Sequence, residues 1–141
     1  MHRRWLPALL LLSPLLSTAC ATFYLVRPGD LPPSTADISP DRSSLVWKRA
    51  VGVLLDQGYV PQVLNEAACF ISAKRREDIA DDALAGTIVL FSISPEGKVT
   101  VQLSGGGLFH TEEQFLAAVG QRQNAIFNLI LNPQPARPAA Q

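Results

Sequence analysis

The 141-residue sequence contains only two cysteines and two histidines, and its charges cancel, with twelve Lys and Arg against twelve Asp and Glu. Each shortage excludes something. Two cysteines cannot build a disulfide framework or a four-cysteine zinc site. A zero balance lacks the clustered positive excess of a nucleic-acid footprint, so no nucleic-acid partner is expected. A spanning helix needs about 20 apolar residues. The leucine-rich stretch 5–16 falls short of that, and Pro14 interrupts it. Charged residues make up 17% and apolar residues 48%, which excludes wholesale disorder. The length suits one domain.

Residues 1–20 read MHRRWLPALLLLSPLLSTAC. Arg3 and Arg4 form a basic start, the uncharged leucine-rich run follows, and Ser17, Thr18 and Ala19 are small. This is the layout of a secretory signal, expected over 1–19. The next residue is Cys20.

Over these 20 residues the chain resembles bacterial lipoprotein precursors. Their lipobox typically reads Leu, then Ala or Ser, then Gly or Ala, then Cys. Here Thr18, Ala19 and Cys20 occupy its last three places, and Ser17 stands where an aliphatic residue is usual. The resemblance implies a diacylglycerol on the Cys20 sulfur, removal of the signal and acylation of the new α-amine. One acyl chain binds a bilayer marginally, whereas two or three hold firmly. The competing reading is ordinary secretion, with cleavage near Ala19 or Ala21 and a free Cys20. In Gram-negative lipoproteins Asp after the Cys favours the inner membrane. Ala21 therefore implies the outer membrane, facing the periplasm. A mature chain from Cys20 keeps ten basic and twelve acidic residues, and His110 is its one histidine.

Nine prolines follow the signal, but only Pro61 and Pro95 lie within 44–132. Proline removes backbone donors and breaks regular elements. This distribution predicts a lipidated Cys20 with a flexible linker through 43, a folded domain over 44–132 and a disordered tail over 133–141. Fully extended, a linker over 21–43 would reach roughly 75 Å.

Within the domain, Ser44 is a candidate cap for a first helix whose stripe is Trp47, Ala50, Val51, Leu54 and Leu55. Gly58 supplies a left-handed stop. Gly52 inside this helix suggests close packing against a sheet. Residues 59–64 read as a strand that Pro61 confines to an edge. Residues 68–75 read as a second, with Cys69, Ile71 and Ala73 on one face. The third, 87–94, is rich in β-branched and aromatic residues. After the turn 95–98, residues 99–104 alternate cleanly as a fourth strand with one wet face. Gly105, Gly106 and Gly107 end it. Thr111 caps a long last helix, with Gln114 three residues on, Glu112 and Glu113 in its first turn, and a stripe of Phe115, Val119, Ile126, Leu129 and Ile130. Asn132 and Pro133 stop it.

The expectation is therefore an α+β fold in the order αββββα: two layers, with a four-stranded antiparallel meander and two helices on one face. In element order it resembles small helix-on-sheet modules of cell-envelope assembly lipoproteins.

Candidate chemistry is thin. A nucleophilic Cys69 would need a base such as His110 nearby; a buried structural cysteine is the commoner case. If Cys20 were unmodified, a Cys20–Cys69 disulfide would be open to it in an oxidising compartment. Glu77, Asp78, Asp81 and Asp82 lack the spacing of a calcium loop and read as a solvated connection. The triple glycine lacks the residues of a phosphate loop and reads as a flexible strand-to-helix connection. Arg42, Lys48 and Arg49 form a small basic group for headgroups or, more simply, a solvated helix face. No catalytic residue, metal or cofactor is expected. The reading is a non-catalytic, lipid-anchored envelope lipoprotein, a protein-interaction or assembly accessory whose contact is the wet sheet face or an exposed strand edge. The alternative is a small-ligand carrier or sensor with a pocket near residues 105–110.

Overall fold

A computed structural model describes residues 21–76 and 83–133. The expected signal and lipidated Cys20, the expected acidic connection around Glu77, Asp78, Asp81 and Asp82, and the expected tail from residue 134 on lie outside the described residues. The fold is α+β, an antiparallel sheet with two helices. The strands are β1 (Thr22–Val26), β2 (Ser34–Asp37), β3 (Tyr59–Asn65), β4 (Phe70–Arg75), β5 (Gly86–Ile93) and β6 (Lys98–Phe109). The helices are α1 (Ser43–Asp56) and α2 (Glu112–Leu131).

Strands β3 to β6 pair consecutively and antiparallel. The sheet nevertheless has six strands, not four, and the order is ββαββββα. Residues 21–43, expected as a flexible linker, carry the two additional strands. Both lie along the outer edge of β6, Thr22–Val26 opposite 109–105 and Ser34–Asp37 opposite 101–98. Together they make one interrupted edge strand. The prolines occupy the interruption and the exit, where no ladder bond is needed: Pro28, Pro32 and Pro33 lie between β1 and β2, and Pro40 starts a single 3₁₀ turn before α1. The sheet thus begins at Thr22.

Burial alternates along the strands. Val89, Phe91 and Ile93 of β5 and Val99, Val101 and Leu103 of β6 join Ile71 and Ala73 in one core with Trp47, Ala50 and Leu54 of α1 and Phe115, Val119, Ile126 and Ile130 of α2. Both helices therefore cover the same face. Of the expected α2 stripe, Leu129 is only half-buried, and Gln123 is buried in its place.

Several local details differ from expectation. Helix α1 starts at Ser43 straight from the 3₁₀ turn, with no side-chain cap, so Ser44 does not cap it. Gly52 faces open space rather than the sheet. Strand β6 runs through the triple glycine to Phe109. Thr111 does cap α2, its hydroxyl accepting the Gln114 N–H at 3.1 Å. The β5–β6 turn requires Gly97. Its φ is +92°, and a Cβ there would come within 2.1 Å of the Ile38 carbonyl oxygen.

Candidate functional site

Three features of the described structure bear on function: the end of the sheet nearest Cys20, the two sheet edges, and two clefts.

At the Cys20 end, β6 passes between aromatic rings, and the glycines make room for them. The Phe23 ring lies over Gly106, where a Cβ would meet its Cζ at 2.1 Å. On the other face Tyr24 stacks on Phe115, with ring centroids 5.9 Å apart, and Phe109 meets the same ring at 5.5 Å. A Cβ on Gly107 would lie 2.4 Å from the Ala83 carbonyl oxygen. The triple glycine is therefore a close-packed strand segment, not a flexible connection. Register places Phe23 opposite Leu108 and Leu25 opposite Gly106. The side chains of Phe23, Leu25 and Leu108 project from the face away from the helices, and they are 63%, 55% and 56% exposed.

Between β1 and β2 the partner of β6 is missing, and a side chain replaces it. Gln123 accepts the Leu103 N–H at 3.0 Å and donates to the Pro32 carbonyl at 3.0 Å and the Ser34 hydroxyl at 3.2 Å. This satisfies a buried backbone donor that would otherwise cost about 1–3 kcal/mol. Nothing in the sequence marked Gln123. The only available signal was a polar residue within an apolar stripe.

At the far edge, β3 exposes Val60, Val63 and Leu64. Its ladder is broken by Pro61 and by a register shift between Pro61 and Val63. Both features oppose addition of a further strand, because a proline offers no N–H and a bulge bends the edge away. Val60 and Val63 remain available as side-chain contacts.

Cys69 and His110 are not brought together. Cys69 closes the β3–β4 turn as a half-buried free thiol, with φ +48°, rather than lying on the strand with Ile71. Register carries Phe70 across to Ser92 and on to Thr100, whereas His110 follows Phe109 at the other end of β6. At about 3.3 Å per residue the two sit roughly 30 Å apart along the strand. Proton transfer needs hydrogen-bond reach, so this pair forms no dyad. Cys20 is joined to the Thr22 end by two chain links, roughly 7 Å at most. A link of that length does not span the distance from Thr22, paired with Phe109, to Cys69 at the far end of the sheet.

Of the basic group, Arg49 donates to the Ile130 carbonyl at 3.0 Å and so closes the C-terminal turn of α2 instead of facing solvent. Among the described residues no three His, Cys, Asp or Glu side chains cluster as metal ligands, and no helix is long and apolar enough to cross a membrane.

One open cleft of about 540 Å³ lies between residues 31–35 and α2, lined by Pro32, Ser34, Gln123, Asn124 and Phe127. Its polar groups already bond one another; Ser34 donates to the Asn124 side-chain oxygen at 2.7 Å. A second, of about 450 Å³, opens beside Phe109 between Leu84 and the α2 residues Ala118, Arg122 and Ala125. At Gly106 and Gly107 rings cover the backbone on opposite faces, and at Gly105 the β5 main chain lies close.

No known protein family matches this sequence, and no curated protein matches it either.

Proposed function

We propose that the chain is a membrane-anchored bacterial envelope lipoprotein, tethered through acyl chains on Cys20 and facing the periplasm from the outer membrane. Its folded domain is a non-catalytic interaction or assembly module. The observation that carries this reading is the order of the first 20 residues: two arginines, an uncharged leucine-rich run, three small residues, then cysteine.

The contact with another envelope protein is made by the β3 flank, through Val60, Val63 and Leu64. The broken ladder of β3 favours side-chain contact over strand addition, and this flank lies four strands from β1, about 19 Å across the sheet. A photo-crosslinking residue at Val63 in the full chain, expressed in its own envelope, is expected to capture one discrete product. The same residue at Thr35, on the opposite edge, is expected to give none. Identical background from both positions would overturn the β3 assignment.

A periplasmic small-ligand carrier is the second reading. The cleft beside Phe109 favours it, being the one that reaches the region 105–110. Ligand-dependent chemical-shift changes confined to Ala118, Arg122 and Ala125 would move the assignment there.

A further inference from the structure

We propose that the exposed apolar corner formed by Phe23, Leu25 and Leu108 is a membrane-docking surface, and that its occupant is the bilayer to which Cys20 is attached. The proposal rests on the lipoprotein reading and deepens it: the anchor does not dangle the domain on a linker but seats it.

The argument starts from chain length. Strand β1 begins at Thr22, so the first paired residue stands at most roughly 7 Å from the Cys20 α-carbon. With acyl chains on Cys20, this corner cannot leave the headgroup region while the fold is intact. The next observation is composition. The central outward positions of the sheet mix the polar Ser72, Ser92, Thr100 and Gln102 with Ile88 and Leu90, which are only half-buried. At the Cys20 end the same face instead shows Phe23, Leu25 and Leu108, each more than half exposed.

Charge points the same way. Among the paired strand residues on this face the one carboxylate is Asp37, at the far end opposite Lys98. Glu112 and Glu113, which would be repelled by anionic headgroups, lie in the first turn of α2 on the other face. The corner at the Cys20 end of this face, not the whole face, is what suits a bilayer.

Nearness to Cys20, rather than area, favours a bilayer over a protein as the occupant. Three such side chains offer on the order of 300 Å² of exposed apolar surface, short of the roughly 800 Å² per partner that a stable protein interface buries, so this corner, like the β3 flank, would need further contacts to hold a protein. Beside a covalent lipid it needs only to fix orientation, by entering the headgroup–acyl boundary to a depth of about 5–10 Å. The β3 flank then stands clear of the membrane.

The test uses the full acylated chain, purified from membranes and reconstituted into vesicles of phosphatidylethanolamine and phosphatidylglycerol brominated near the top of one acyl chain. Leu25→Trp and Leu108→Trp are compared with Val63→Trp, all against the background of the buried Trp47. The added indoles at 25 and 108 are expected to lose roughly half or more of their emission to the brominated lipid. The indole at 63 is expected to lose none. Vesicles that retain the protein while neither the 25 nor the 108 indole is quenched would overturn the docking and leave the lipid anchor standing. Failure of the unmutated chain to float with vesicles would overturn both. A Cys20→Ala chain that sediments as a dimer, with the Leu25→Trp indole shielded from iodide, would assign the corner to a second copy and overturn the proposal.

Discussion

Gln123 shows how one side chain can stand in for a strand. It fills the gap between β1 and β2, and its three hydrogen bonds join β6, the β1–β2 connection and α2. Gln123→Leu keeps the volume but strands the Leu103 N–H, so urea unfolding should show a loss of about 2 kcal/mol. An unchanged midpoint would mean that the gap is hydrated. The glycines of β6 allow a sharper comparison. A methyl on Gly106 meets the tip of the exposed Phe23 ring, which can swing away. One on Gly107 meets the Ala83 carbonyl, which is main chain. Gly107→Ala is therefore expected to cost about 2 kcal/mol or more and Gly106→Ala under about 1. Equal losses would contradict the packing described. Gly52 is the opposite case. It sits exposed in α1 with open space where a Cβ would be, so Gly52→Ala should stabilise the domain by up to about 1 kcal/mol. A melting temperature that falls would contradict the open space at this position.

At the scale of elements, the difference between what was legible and what was not has a physical cause. Helix α2 announces itself by a threonine cap, acidic first turn, periodic stripe and Asn132–Pro133 stop, all local signals. The β5–β6 hairpin does so by alternation around a proline–glycine turn. Strands β1 and β2 do not. They are five and four residues long, they flank a proline-rich connection, and what makes them strands is an edge of β6 some 61 to 87 residues away. The triple glycine was misleading for the same reason. Its lack of side chains reads locally as flexibility, while in the fold it receives rings from Phe23 and Phe115. The candidate site divides likewise. The residue order ending at Cys20, on which the proposed anchor rests, is a local pattern, whereas the apolar corner needs the pairing of Phe23 with Leu108. Because β1 pairs with β6, alternate amides within 22–26 are expected to exchange with solvent on the slow timescale of β6. Exchange of all of them at unfolded rates would return this segment to a linker.

For the whole molecule, the consequence is a short leash. The composition of 21–43 allows a tether of roughly 75 Å; the pairing of β1 leaves two residues. On the proposed lipid anchoring of Cys20, the domain's orientation at the membrane would be set by its sheet, with the β1 corner down and the β3 flank outward. The most direct measurement is the intact mass of the full-length gene product extracted from cell membranes. The account predicts the mass of residues 20–141 increased by a diacylglyceryl group and an amide-linked acyl chain. A chain recovered from the soluble fraction at its unmodified mass, with the Cys20 thiol free to react, would contradict it.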